Sequence, residues 1–247
     1  MLISVITATY NSEKGIQKVI SSLQKQSHQQ YEWIVVDGGS DDQTLKFVQA
    51  SDIKVKRVIS ECDDGIYDAL NKGLKIATGS FCIFLHSDDW WEDPEFLAKY
   101  ITNITPRSSV LYSNVSFFDT NGKLVRRWVD PLSFRFSVTA GWMPPHVSML
   151  VNLDLIKRHT LLFDTNFTIS ADYDWILKLA ELNSPENWTY VPDQFVSMTT
   201  GGASNGSTPK YLKSFLEDLT ILSRYGLWKS IVGSLRKKIR KIGQWYE

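Results

Sequence analysis

The chain has 247 residues, 43% hydrophobic and 22% charged, enough to bury a core and too apolar for a disordered chain. Its 27 Lys and Arg cancel its 27 Asp and Glu, which argues against the basic excess of a general nucleic-acid binder. The balance hides an acidic body and a basic end: residues 206–247 carry nine basic and only three acidic side chains.

Ile3 to Thr7 is a short β-branched run and predicts a buried strand. Asn11 or Ser12 can cap a helix with Ile16, Val19, Ile20 and Leu23 on one face. Trp33–Val36 reads as a second strand. It ends at Asp37-Gly38-Gly39-Ser40, a turn able to cap a helix carrying Leu45 and Val48. Val55–Ile59 is a third strand, and Asp63-Asp64-Gly65 turns into a helix with Ile66, Leu70, Gly73, Leu74 and Ala77 at helical spacing. Phe81–Leu85 is a fourth strand, after which Asp93-Pro94 opens a helix with Asp as cap and Pro in the first turn.

Four strand–helix alternations predict an α/β fold. The central sheet should be mostly parallel, with right-handed crossovers and helices flanking it. Such sheets bind ligands beyond the carboxyl ends of their strands. Thr9, Tyr10, Asn11, Asp37, Ser60, Glu61, Ser87, Asp88 and Asp89 should therefore converge on one crevice rich in carboxylates.

The second half changes character. Val110–Phe118 and Lys123–Val129 flank Asp119-Thr120-Asn121-Gly122, a hairpin signal, and residues 130–145 are irregular and aromatic. Ser170–Leu182 predicts a helix with Ile169, Tyr173, Ile176, Leu177 and Ala180 on one face, and Trp188–Met198 a strand. Thr199–Ser207 is a Gly/Ser/Thr loop, followed by two terminal helices, Pro209–Tyr225 and Leu227–Tyr246. The last is amphipathic: Leu227, Trp228, Ile231, Val232, Leu235, Ile239, Ile242 and Trp245 lie on one side and basic residues fill much of the rest. That composition fits a helix lying on an anionic membrane surface, and equally a helix docked on the domain with a solvated basic face.

No apolar run approaches the ~18 residues of a membrane span. Met1–Tyr10 lacks the basic region and apolar length of a signal peptide, and Cys62 and Cys82 alone make no disulfide framework. The expected compartment is the cytoplasm, where the Asn-x-Ser/Thr sequons at Asn103, Asn114, Asn166, Asn187 and Asn205 carry no weight.

Asp88-Asp89 follows an apolar strand. Adjacent carboxylates repel, and a hard divalent ion such as Mg²⁺ or Mn²⁺ that also takes a substrate diphosphate would offset the repulsion; a solvated turn is the plainer reading. Asp37 at a strand end can bond a ribose or base edge, or simply form the turn. There is no P-loop, no dinucleotide glycine fingerprint and no zinc spacing. Gly202-Ala203-Ser204-Asn205-Gly206 matches a nucleophile elbow, but no His follows Ser204 to complete a triad; a mobile polar loop fits better. Asp172 and Asp174 flank Tyr173 near a helix start, about 200° apart. One can face the crevice while the other faces solvent or caps, and Asp172 is the better inward candidate. Both acids could instead only complement the helix dipole.

Taken together, these stretches resemble the family 2 glycosyltransferases, nucleotide-sugar enzymes of the GT-A fold. The matching residues are Ile3–Asn11, Trp33–Asp41, Ser60–Gly73, Ala77-Thr78-Gly79, Phe84–Asp89, Pro145–Met149, Ala171–Asp174 and Gly201–Ser204. The resemblance covers residues 1–205. It implies one GT-A domain, with a nucleotide-binding half at 1–104 and an acceptor half at 105–205, followed by a C-terminal helical extension at 206–247. It further implies that Ala8, Thr9 and Tyr10 line the nucleobase pocket, that Asp37 binds base or ribose, and that Asp68 and Asn71 lie near the nucleotide and donor sugar. Ser87-Asp88-Asp89 would be the metal motif, with Asp88 toward the ribose and Asp89 on Mn²⁺ or Mg²⁺. Many members carry an acid or Asn where this chain has His86. Asp172 would be the general base and Gly201–Ser204 would lie near the diphosphate or the acceptor.

The implied reaction is inverting transfer of a sugar from a UDP-, dTDP- or GDP-linked donor to a hydroxyl of a glycan or lipid-linked acceptor. Its setting would be surface polysaccharide synthesis on the inner face of the cytoplasmic membrane, reached through 227–247. Two alternatives compete. A metal-dependent nucleotidyltransferase would need a Gly-rich basic loop where Tyr10-Asn11-Ser12-Glu13 stands, and an inactive nucleotide-sugar binder would not need Asp88, Asp89 and Asp172 all intact.

Overall fold

The computed structural model describes residues 1–54, 56–129, 138, 141–200, 208–224, 226 and 232–235. Its first half alternates as the sequence predicts: β1 (Ile3–Thr9), α1 (Ile16–Gln24), β2 (Tyr31–Asp37), α2 (Thr44–Ala50), β3 (Lys56–Ser60), α3 (Ile66–Ile76) and β4 (Phe81–Phe84). Then follow β5 (Asp89–Trp91), α4 (Phe96–Thr102), β6 (Val110–Phe118), β7 (Leu124–Trp128) and β8 (Leu150–Asn152). The remaining elements are α5 (Leu153–Arg158), α6 (Ala171–Glu181), β9 (Trp188–Thr199) and α7 (Thr208–Ser223).

Among the described residues the strands form one sheet, in the order β3-β2-β1-β4-β8-β6-β9-β5, with β7 paired to β6. The ladders from β3 to β4 are parallel, as is β6–β9; β8 runs antiparallel to both neighbours and β5 antiparallel to β9. Every residue of β1 and β2 is buried, because helices cover both faces. Side chains alternate between two cores. Ile6, Ala8, Ile34 and Val36 face α3 and α6, while Val5, Trp33 and Val35 pack with Val19 and Leu23 of α1 and Phe96 of α4. Each fully buried side chain of this kind contributes about 1.5–3 kcal/mol.

Several polar residues inside β1 and β2 are satisfied across strands. Ser4 Oγ donates to Glu32 Oε1 at 2.7 Å, and Thr7 Oγ1 donates to the Leu85 carbonyl at 2.6 Å while accepting from Trp33 Nε1 at 2.9 Å.

Three helix starts differ from expectation. Neither Asn11 nor Ser12 caps α1, which begins after Gly15 with no side-chain cap. Asn11 instead, at φ 45°, ties the loop after β1 to the loop after β2: its N–H donates to Ser40 Oγ at 2.8 Å and its Oδ1 accepts from Asp41 N at 3.0 Å. The Asp37–Ser40 turn does not cap α2; Asp42 Oδ1 accepts from Thr44 N there at 2.8 Å. Asp93 accepts from Glu95 N at 2.9 Å, and the helix proper starts only at Phe96. The β6–β7 hairpin and the strand after Trp188 lie where the pattern places them.

α6 is buried almost all round, beyond its expected face, because α7 covers its outer side. Ile221 and Leu222 of α7 are fully buried and belong to the same core as Trp175 and Ile176. The expected 199–207 loop and second terminal helix lie largely outside the described residues.

Candidate active site

The strand ends and the second half meet in a crevice of about 150 Å³. Asp88, Asp89 and Asp172 all line it, which brings together the three acids singled out from sequence. Tyr67 of α3 and the 168–169 segment form one wall, Met198 and Thr199 of β9 another. The volume is below the ~300–1,000 Å³ of a whole small-molecule pocket, so it can enclose the reacting end of a ligand rather than a nucleotide.

β5 places the acid pair. It pairs with β9 so that Asp89 faces Met198, and Thr199 N donates to the Asp88 carbonyl at 3.2 Å. The end of the turn splits the pair: Asp88 is exposed and Asp89, the first residue of β5, is fully buried. Asp89 Oδ2 accepts from His86 N at 3.2 Å, while its buried Oδ1 has no partner. Burial, reinforced by the neighbouring Asp88 charge, pushes the Asp89 carboxyl well above the usual carboxylate range. A cation at Asp88–Asp89 would remove that penalty and engage the orphaned oxygen. No group of three His, Cys, Asp or Glu side chains forms a metal cage among the described residues. Among the described residues, the Asp88–Asp89 pair is thus a set of two adjacent carboxylates, oxygen donors of the kind a hard divalent ion takes.

Asp172 sits in the first turn of α6 with its side chain 18% exposed, so it is held yet open to the crevice. His146, in a 3-10 turn at His146–Ser148, places Nδ1 3.3 Å from Asp172 Oδ2. His146 Nε2 lies 3.3 Å from His86 Nε2. If His146 donates from Nδ1 to the carboxylate, its Nε2 accepts from His86. The buried His86 Nδ1 is then a bare lone pair, which matches its lack of a partner. Burial and then His146 push the His86 pKa down to about 3, so its ring stays neutral. His86 had no assigned role and His146 appeared only inside a motif; the link between them spans 60 residues.

Asp174 takes neither role the sequence offered it. It is buried rather than facing solvent or capping. Its Oδ1 accepts from Arg224 Nη1 at 2.6 Å and its Oδ2 lies 2.6 Å from Lys178 Nζ.

The other expected ligand residues lie outside the enclosed crevice. Ala8 and Thr9 are buried at the end of β1, and Tyr10 beyond them is 63% exposed, free to present a ring face. Asp37 is fully buried at the end of β2, where Gly39 N, Ser40 N and Ser60 Oγ all donate to its Oδ2. Its visible work is to shape the loop. Asp68 pairs with Lys72 at 3.1 Å, and Lys72 also holds Glu61 at 2.8 Å. Burial raises the Asp68 carboxyl, but the Lys72 and Asp64 hydrogen bonds outweigh it and leave the pKa lowered. Asn71 is committed to a structural contact. Its amide is spent on the Phe163 backbone, donating to the carbonyl at 2.9 Å and accepting from the N–H at 2.8 Å, so it joins the two halves and does not line the crevice.

Residues 4–152 match the family model for glycosyl transferase family 2. The chain belongs to that family. This glycosyltransferase is 30% identical over 185 residues to a Mycobacterium tuberculosis glycosyltransferase, across 74% of this chain and 70% of the relative. It is 32% identical over 137 residues to WfgD of Escherichia coli, a UDP-Glc:α-D-GlcNAc-diphosphoundecaprenol β-1,3-glucosyltransferase, across 55% of this chain and 54% of WfgD. Its fold matches S. aureus TarS 1–349, solved with UDP-GlcNAc, at a TM-score of 0.70 and 23% identity, over 90% of this chain and 65% of that one. The fold is therefore GT-A, and solved structures of the same fold include complexes with Mn²⁺. The family match ends at residue 152, ahead of α6, β9 and α7.

Proposed function

We propose that this glycosyltransferase moves a sugar from a nucleoside-diphosphate donor to a hydroxyl of a glycan or lipid-linked acceptor, with inversion at the anomeric carbon. The observation that carries the reading is the meeting of Asp88, Asp89 and Asp172 in one crevice at the carboxyl ends of the strands.

Asp172 is the general base: it takes the proton of the acceptor hydroxyl as the oxygen attacks the anomeric carbon and the bond to the diphosphate breaks. His146 at 3.3 Å holds the carboxylate in position, and the surrounding apolar wall of Ile66, Leu70 and Met198 limits water. Tyr10 stacks the base, and Ala8, Thr9 and Asp37 shape its pocket. Asp68 with Lys72 borders the same end. Asp88 and Asp89 would hold Mn²⁺ or Mg²⁺, which neutralises charge on the departing diphosphate when bound.

A lipid-linked acceptor is supported by the basic end of an otherwise acidic chain and by the diphosphoundecaprenol substrate of WfgD. On this reading the enzyme works at the cytoplasmic face of the membrane in polysaccharide synthesis, with 227–247 on the anionic surface. No helix among the described residues is long and apolar enough to cross a membrane.

The test is a panel of UDP-, dTDP- and GDP-sugars with and without Mn²⁺, scored for thermal shift and nucleoside diphosphate release. A metal-dependent shift that vanishes in Asp89→Ala supports the reading and names the donor. No response from folded protein to any sugar nucleotide overturns it. Deleting 227–247 should release the protein from anionic vesicles; undiminished binding would sink the membrane role.

A further inference from the structure

We infer that Glu217, on α7, is a positioning residue for transfer, holding the segment that walls the crevice and leads into Asp172. The inference rests on Asp172 being the base.

The Glu217 side chain collects four donors from one short stretch 47 to 49 residues away. Its Oε1 accepts from Thr168 N and Thr168 Oγ1, both at 3.1 Å, and its Oε2 from Ile169 N at 3.0 Å and Ser170 N at 2.8 Å. Thr168 and Ile169 line the crevice, and Ser170 is the residue immediately ahead of α6. Ser170 makes no side-chain cap, so the donors ahead of the helix are satisfied by an acid from another element. From the opposite side Tyr67 Oη donates to the Ile169 carbonyl at 2.8 Å. The Ile169 backbone is thus gripped at both its N–H and its C=O, by α7 and by α3.

A carboxylate presents acceptors on both oxygens; a Gln would set an NH₂ against one of the two donor pairs. Glu217 is 8% exposed, so a mismatched donor there finds little water. α7 is itself fixed, by fully buried Ile221 and Leu222 and by Arg224 on Asp174 at 2.6 Å. α7 and Arg224 just after it therefore grip the chain on both sides of Asp172 in sequence, at 168–170 and at 174.

The test is steady-state kinetics on the full chain with the donor from the panel, for wild type, Glu217→Gln, Glu217→Asp and Asp172→Asn, with donor affinity measured separately. Misplacing the base by about 1 Å costs roughly 100-fold, so Glu217→Gln should lose about that much in kcat. Its donor affinity, which depends on the β1 and β2 loops, should stay within about threefold, and it should still melt cooperatively. Glu217→Asp keeps two acceptor oxygens on a shorter stem and should recover part of the rate. Wild-type kcat in Glu217→Gln, or equal loss of kcat and donor affinity, overturns the inference. If Glu217→Gln does not fold, Glu217→Asp decides on the same criteria. An Asp172→Asn enzyme that transfers normally refutes the base assignment itself; a dead Asp172→Asn beside a normal Glu217→Gln refutes only the positioning role.

Discussion

Gly15 is where the loop after β1 meets the Ser87–Asp88 turn, and replacing it with Ala should damage catalysis more than folding. A Cβ built there lies 2.2 Å from the Ser87 carbonyl oxygen and 3.0 Å from Asp88 Oδ1. Carbon and oxygen cannot sit that close, so the Ser87–Asp88 backbone must retreat by roughly 1 Å to reach ordinary contact. The turn has little slack: Ser87 Oγ donates to Ser12 Oγ at 2.9 Å, and Asp89 N to the His86 carbonyl at 3.1 Å. Overpacking of this kind costs about 1–3 kcal/mol of stability. A displacement of ~1 Å at reacting groups costs about 100-fold in rate, or roughly 2.7 kcal/mol of barrier. Gly122→Ala is the control. In the β6–β7 turn, at φ 81°, nothing lies within 4 Å of its added Cβ, so it carries only about 1–2 kcal/mol of backbone strain. Nucleoside diphosphate release and thermal melts are measured on both variants. A folded Gly15→Ala enzyme within threefold of the wild-type rate would refute the reasoning.

Four further outcomes follow. Asp172→Asn should lose about 10²–10⁴-fold in transfer while still binding donor, read by turnover and thermal shift. Asp174→Asn should do the reverse. It should lose about 1–3 kcal/mol in denaturant melts with little change in kcat, because Arg224 and Lys178 are partly exposed and can hydrate. For Glu32, burial raises the pKa, but hydrogen bonds from Ser4 and Thr78 and the Arg57 charge outweigh it and leave it lowered. The folded pKa is then below the unfolded one. The stabilisation is complete above about pH 4.5 and lost as pH falls through the folded value, so melts from pH 7 to 3 should steepen at the acid end in wild type and flatten in Glu32→Gln. Tyr100→Phe should cost about 1 kcal/mol by thermal melt, through loss of its buried bond to the Ser148 carbonyl at 2.6 Å.

The strands were legible because a doubly covered parallel strand is rich in β-branched and other apolar residues, and β1, β2 and β4 are buried at every residue. Helix starts were less so. Asn11 and Ser12 have capping chemistry, yet their polar atoms go to neighbouring loops, a tertiary demand invisible locally. Asn71 shows the same limit: its place on α3 was readable, but not that Phe163, 92 residues on, would consume its amide. Asp88, Asp89 and Asp172 were legible since strand ends and helix starts point at crevices. His146 and Glu217 were not, because each works only through a partner that the fold brings from far along the chain.

The placement of α7 changes how the chain divides. A sequence boundary at 205 makes the rest an appendage, yet Ile221 and Leu222 sit in the core and Arg224 neutralises a carboxylate on α6. A helix that merely rode on the domain would bury an apolar stripe and leave its charges to solvent. α7 instead buries Glu217 against three backbone donors and Asp218 beside it, while Leu212 and Leu216 stay exposed on its other side. Burying an acid is costly unless donors meet it, and here the donors belong to the wall of the crevice. Cutting the chain after 207 should therefore abolish transfer along with the fold of α6, read by turnover and thermal melts.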